Sequence, residues 1–174
     1  MMDYSDKKFI TTGDDLQNFI KKCKLCSKTM INILYHESLT TLKVKHLRRK
    51  KLAIIINSEQ FIQGHWIILL IPSNPRNYAI YFDSQNQLKY SNPNIYKNIV
   101  FFCKNNNLKL LDKSVCIQKL EHNTCGYHCL NILIKFAHYS LTTFHAYIES
   151  VKKNPNFLKK SHFVLHVKKH YKKL

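Results

Sequence analysis

Apolar positions along this chain fall into short runs whose period shifts between that of a helix and that of a strand, with polar punctuation between them. Thr12-Gly13 ahead of DDLQNFIKK reads as a helix start, with acids in the first turn and lysines in the last. MINILYH is expected to be a short strand. LAIII and then FIQGHWIILLI supply more strand material, the second segment rich enough in Ile and Leu to be buried on both faces. Ser73-Asn74-Pro75 makes a turn and NYAIYFDS returns beside it, so GHWIILLIP and NYAIYFD predict a hairpin. Residues 94–105 read as a helix with Pro93 at its start, and LKLL and SVCIQK as short strands. CGYHCLNILIKFAHY is apolar nearly all round, which predicts a central, buried helix. Two further helices, near 141–153 and 157–171, carry a basic tail.

Composition narrows the class. A chain of 174 residues, 45% apolar and with only three glycines and four prolines, predicts one folded domain over 1–174 and leaves little room for linkers. Its longest apolar run, WIILLI, is too short to cross a bilayer, and the polar start MMDYSDKK lacks the apolar region of a signal peptide, so a soluble, intracellular product is expected. Six cysteines at irregular spacings then read as thiols, Cys23 and Cys26 as a surface or helix-end pair.

Charge adds a partner. The net charge is +18, and Lys43, Lys45, Arg48, Arg49, Lys50 and Lys51 form one basic run while the segment from Val151 to Leu174 holds eight lysines and no acid. Such a field attracts polyanions, nucleic acid before acidic membrane, and those six residues are the candidate DNA contacts.

The chemistry is concentrated in HNTCGYHCLNILIKF, residues 122–136. His122, Cys125, His128 and Cys129 are zinc-ligand types, but closed zinc sites use two separated pairs, and on a helix His128 points away from the face that the two cysteines share. The competing reading makes Cys125 a nucleophile at a helix N-terminus, where the dipole and free N–H groups favour thiolate. Asn123 or Thr124 would cap that helix, Gly126 would let a substrate approach, and Cys129 would be a small core residue. His65, inside an apolar strand, is the candidate base, and Asp83 at the end of the adjacent strand is placed to orient it. Gln118 is the candidate oxyanion donor, together with the backbone N–H of Cys125.

The order GHW, YFDS, then Gln118 seven residues before CG, with a second cysteine one turn on, resembles the adenovirus-type (adenain-like) cysteine proteases and their SUMO-protease relatives. The resemblance covers Phe61 to Phe136, and the seven-residue step resembles the adenovirus-type group. Aspartate stands at 83 where the adenoviral enzyme has glutamate. Cys116 lies only two residues before Gln118, so activation by a disulfide-linked peptide does not carry over.

The resemblance implies an α+β protease fold, a small mixed sheet packed against helices with the nucleophile on the central buried helix. It implies a thiol endopeptidase that cuts viral capsid or core precursors next to glycine during virion maturation. Gly64 and Trp66, beside the candidate base, are the candidate cleft residues, Trp66 reading almost equally well as plain core. Such proteases are encoded by adenoviruses, adintoviruses, virophages and Polinton-type elements. No cofactor or metal is expected, and double-stranded DNA stands as partner and candidate activator. A monomer without membrane association is expected, in the virion and in the host nucleus or a cytoplasmic virus factory. A ubiquitin- or SUMO-directed isopeptidase would use the same four residues, and a DNA-binding module without catalysis would use only the charge.

Overall fold

The computed structural model describes residues 12–44, 50–59, 64–118 and 124–154. It is a mixed α+β structure: a five-stranded sheet of β1 (Thr29–Tyr35), β2 (Lys51–Asn57), β3 (Trp66–Ile71), β4 (Tyr78–Phe82) and β5 (Lys109–Asp112), in that spatial order. β1 runs parallel to β2 and β4 parallel to β5, while β3 is antiparallel to both its neighbours. The helices described are α1 (Gly13–Lys22), α2 (Leu88–Ser91), α3 (Pro93–Asn105), α4 (Cys125–His138) and α5 (Leu141–Lys153). No helix among the described residues is long and apolar enough to cross a membrane.

Strand side chains alternate between faces, so a strand buried on both must be apolar throughout. WIILLI meets that demand, all six residues being buried. Trp66, Ile68 and Leu70 join Ala53, Ile55, Ile80 and Phe82 under α1, α4 and α5. Ile67, Leu69 and Ile71 join Leu52, Ile54, Ile56 and Tyr81 under α3. Each fully buried aliphatic side chain contributes roughly 1.5–3 kcal/mol, so β3 is the central rib of the molecule.

The predicted elements are found with small shifts. α1 carries the capping box, with Thr12 Oγ1 accepting from the Asp15 N–H at 3.2 Å and Asp15 Oδ2 accepting from the Thr12 N–H at 2.9 Å. Pro93 opens α3, where its missing N–H costs nothing. The hairpin pairs Ile68 with Phe82 and Leu70 with Ile80. SVCIQK is a correction: of its residues, 114–118 form no regular strand and Lys119 lies outside the described residues, although the N–H groups of Lys113 and Val115 donate to the carbonyls of Tyr81 and Asp83 and carry the chain past the end of β4. The start of FIQGHW, residues 61–63, and the expected helix at 157–171 lie outside the described residues.

Lys51, one of the candidate DNA contacts, has an intramolecular role. Its Nζ donates to the carbonyls of Phe136 at 2.5 Å and Tyr139 at 2.8 Å. The ammonium therefore closes the C-terminal end of α4, where carbonyls lack helical partners and a cation suits the dipole. Burial lowers its pKa from the usual lysine value. Lys43 and Lys50 are exposed, and Lys45, Arg48 and Arg49 lie outside the described residues.

Candidate active site

In an antiparallel pair the start of one strand adjoins the end of the other. His65 immediately precedes β3 and Asp83 immediately follows β4, so the hairpin itself brings them together. His65 Nε2 lies 2.6 Å from Asp83 Oδ1.

The carboxylate is held from several sides. Asp83 Oδ1 also accepts from the Gln85 N–H at 2.8 Å, and Oδ2 accepts from the N–H groups of Gln87 and Leu88 at 2.9 Å each. The chain curls around it because Asn86 adopts a left-handed conformation, φ 53°, which asparagine tolerates well. Asp83 is 1% exposed, so burial alone would favour its neutral form. The hydrogen bond and charge of His65 and the backbone donors outweigh that and lower its pKa.

His65 shows the converse balance. Burial disfavours the imidazolium, but the hydrogen bonds and charges of Asp83 and Cys125 prevail and raise its pKa from 6.5 to about 9. With Nε2 engaged by Asp83, the other ring nitrogen, Nδ1, is buried and has no hydrogen-bond partner among the described residues. Cys125 is one of the groups that raise the His65 pKa.

Cys125 is the first residue of α4 and is buried at the mouth of the core. Thr124 occupies the N-cap position, but against expectation its side chain does not cap the helix; Thr124 Oγ1 instead lies 3.4 Å from His128 Nε2. Asn123, the other expected cap, and His122 lie outside the described residues. Cys129, one turn in, is fully enclosed, and burial, with the nearby charges of Cys125 and Asp83, pushes its pKa well above the usual thiol value. It is a protonated core thiol. No group of three or more His, Cys, Asp or Glu side chains suited to a metal ion occurs among the described residues.

Gln118 is 4% exposed and joins the site through a residue that the sequence reading passed over. Ser84 Oγ donates to Gln118 Oε1 at 2.9 Å, and the Ser84 carbonyl accepts from the N–H groups of Ile117 and Gln118. Ser84 directly follows Asp83 in the YFDS segment, which was the available signal. Ser114 adds a second brace, its Oγ accepting from the Asp83 N–H at 3.1 Å.

The two expected cleft residues have structural roles. A Cβ at Gly64 would collide with the Asn57 side chain and stand 2.7 Å from the Glu59 nitrogen, so glycine is required for the close approach of two segments. Trp66 is 5% exposed and packs in the core against the start of α1, where a Cβ on Gly13 would lie 3.7 Å from its ring.

Compared with protein-family models and with curated proteins, the chain matches none. The functional reading therefore rests on the geometry and on the motif order.

Proposed function

We propose that this chain is a cysteine endopeptidase with the adenain-like fold, acting through Cys125, His65, Asp83 and Gln118. The observation that carries the reading is one imidazole with Asp83 bound to Nε2, Nδ1 left without a partner among the described residues, and a pKa raised by both Asp83 and Cys125. A carboxylate there fixes the tautomer and stabilises the cation, and an imidazolium beside a thiol is the environment in which thiolate forms.

The thiol proton passes to His65 Nδ1, and Sγ attacks a peptide carbonyl carbon to form the C–S bond. Charge gathers on the carbonyl oxygen, where the Gln118 amide and the Cys125 N–H are the proposed donors. As the intermediate collapses, the C–N bond breaks and the imidazolium gives its proton to the leaving amine. Water, deprotonated by His65, then hydrolyses the thioester and restores the thiol.

The motif resemblance extends the proposal to viral capsid or core precursors cut next to glycine. The charge of +18 supports confinement of enzyme and substrate to the same DNA. The test is to incubate the protein with the structural proteins of its own virus or element, with and without duplex DNA, and map new termini. New termini made by wild type and lost in Cys125→Ala are expected. Labelling of Cys125 by a ubiquitin or SUMO vinyl sulfone, with no cleavage of structural proteins, would replace this reading by an isopeptidase. Duplex-DNA binding that loses roughly 10³- to 10⁵-fold between 50 and 200 mM salt, with no Cys125-dependent cleavage, would leave only a DNA-binding module.

A further inference from the structure

We propose that Ser84 is a positioning residue that sets which end of the Gln118 amide is presented to the reacting carbonyl. This rests on the protease reading above. A primary amide has an accepting oxygen and a donating NH2 group on opposite sides of one carbon, and a half-turn exchanges them. Only the orientation that presents NH2 can stabilise an oxyanion.

Ser84 is 1% exposed, and a buried hydroxyl needs an acceptor for its proton. Among the described residues that acceptor is Gln118 Oε1, at 2.9 Å. With the oxygen held by the hydroxyl, the NH2 group lies on the far side of the amide from Ser84. The same residue fixes the backbone, since its carbonyl accepts from Ile117 N at 2.9 Å and from Gln118 N at 3.2 Å. Gln118 is therefore gripped at main chain and side chain by one residue. Because Asp83 and Ser84 are consecutive, a single turn after β4 sets both the orientation of the base and the polarity of the oxyanion donor. A shift of this turn would disturb both functions together.

The test compares two reactions of the full chain. Acylation of Cys125 by N-acetylglycine p-nitrophenyl ester passes through a tetrahedral oxyanion, whereas alkylation by iodoacetamide does not. Ser84→Ala is expected to lower kcat for the ester about 10-fold with KM unchanged, as a misplaced donor should, and to leave the alkylation rate at wild type. Ser84→Thr, which keeps the hydroxyl, should restore the ester rate. Ser84→Cys, similar in volume but a weaker donor, should give a smaller drop in the same direction. Ser84→Ala added to Gln118→Ala should cost nothing more than Gln118→Ala alone. Equal slowing of both reactions, or losses that multiply in the double variant, would overturn the positioning role. Cys125-dependent acylation that ignores Ser84→Ala would overturn it alone, whereas ester hydrolysis unaffected by Cys125→Ala would overturn the protease reading and this inference with it.

Discussion

The starts of α1 and α4 are helix N-termini in one molecule with opposite treatments. At α1, Thr12 and Asp15 satisfy each other's backbone donors, and Leu16 is fully buried just inside. α5 is treated similarly, Ser140 accepting from the Thr143 N–H at 3.2 Å. At α4 the N-cap threonine makes no such bond, and the first helical residue is a cysteine that, with the buried Asp83 carboxylate, raises the pKa of His65. α1 and α5 thus use a side chain to satisfy first-turn donors, whereas α4 and also α3, which opens on Pro93, have no side-chain cap. What sets α4 apart is the residue at its start: on the proposed function, Cys125 and the uncapped first turn would receive a developing negative charge.

The sharpest test of this contrast is chemical. Cys125→Ala should remove peptide cleavage, a loss on the order of 10⁴-fold or more, while urea denaturation shows the fold retained. Iodoacetamide should modify Cys125 faster than the fully enclosed Cys129, measured by peptide mapping after timed alkylation. Preferential alkylation of Cys129 would end the assignment.

At α1 the corresponding change should act on stability alone. Leu16→Ala removes a fully buried side chain from the core and should cost roughly 2–5 kcal/mol. Wild-type kcat is expected at temperatures where the variant is folded.

The pH dependence of stability separates the two ends as well. His65 is raised to about 9 in the fold, against 6.5 unfolded, so its contribution is complete below about pH 6.5 and is lost as pH rises through 9. Asp83, lowered in the fold, contributes above the usual carboxylate range and loses that as pH falls through its depressed value. Melting temperature should therefore fall between pH 6.5 and 9 more steeply in wild type than in His65→Gln. Equal slopes would mean that the imidazolium is not stabilised by the site.

The smallest effects lie in the caps. Thr12→Ala should cost about 1 kcal/mol, because its hydroxyl serves the helix. Thr124→Ala should cost less than about 0.5 kcal/mol, because its side chain does not. Equal costs in urea titrations would show that Thr124 caps α4 in solution and would dissolve the comparison.

How much of this was legible beforehand depended on whether the cause was local. The apolar run of β3, the alternation that buries both its faces, the Pro93 helix start and the Thr12 cap are set by neighbours in sequence, and the sequence by itself determined them. It also determined the hairpin, and with it the approach of His65 to Asp83, because pairing an antiparallel turn of this length places the start of one strand beside the end of the other. What only the tertiary structure decided is where long-range partners meet. Lys51 sits in a basic run that reads as a polyanion site, but β2 delivers its ammonium to the open carbonyls of α4, 85 to 88 residues away in the chain. Gly64 reads as a cleft residue, yet its lack of a side chain is explained by the close approach of Asn57 and Glu59. Ser84 carried no periodic or spacing signal, and its hydroxyl acquires a role only when Gln118 arrives from a segment 34 residues later. Each of these depends on a hydrogen bond or a steric contact between distant segments, and hydrophobic patterning specifies which face of a segment is buried without specifying which polar group it will meet.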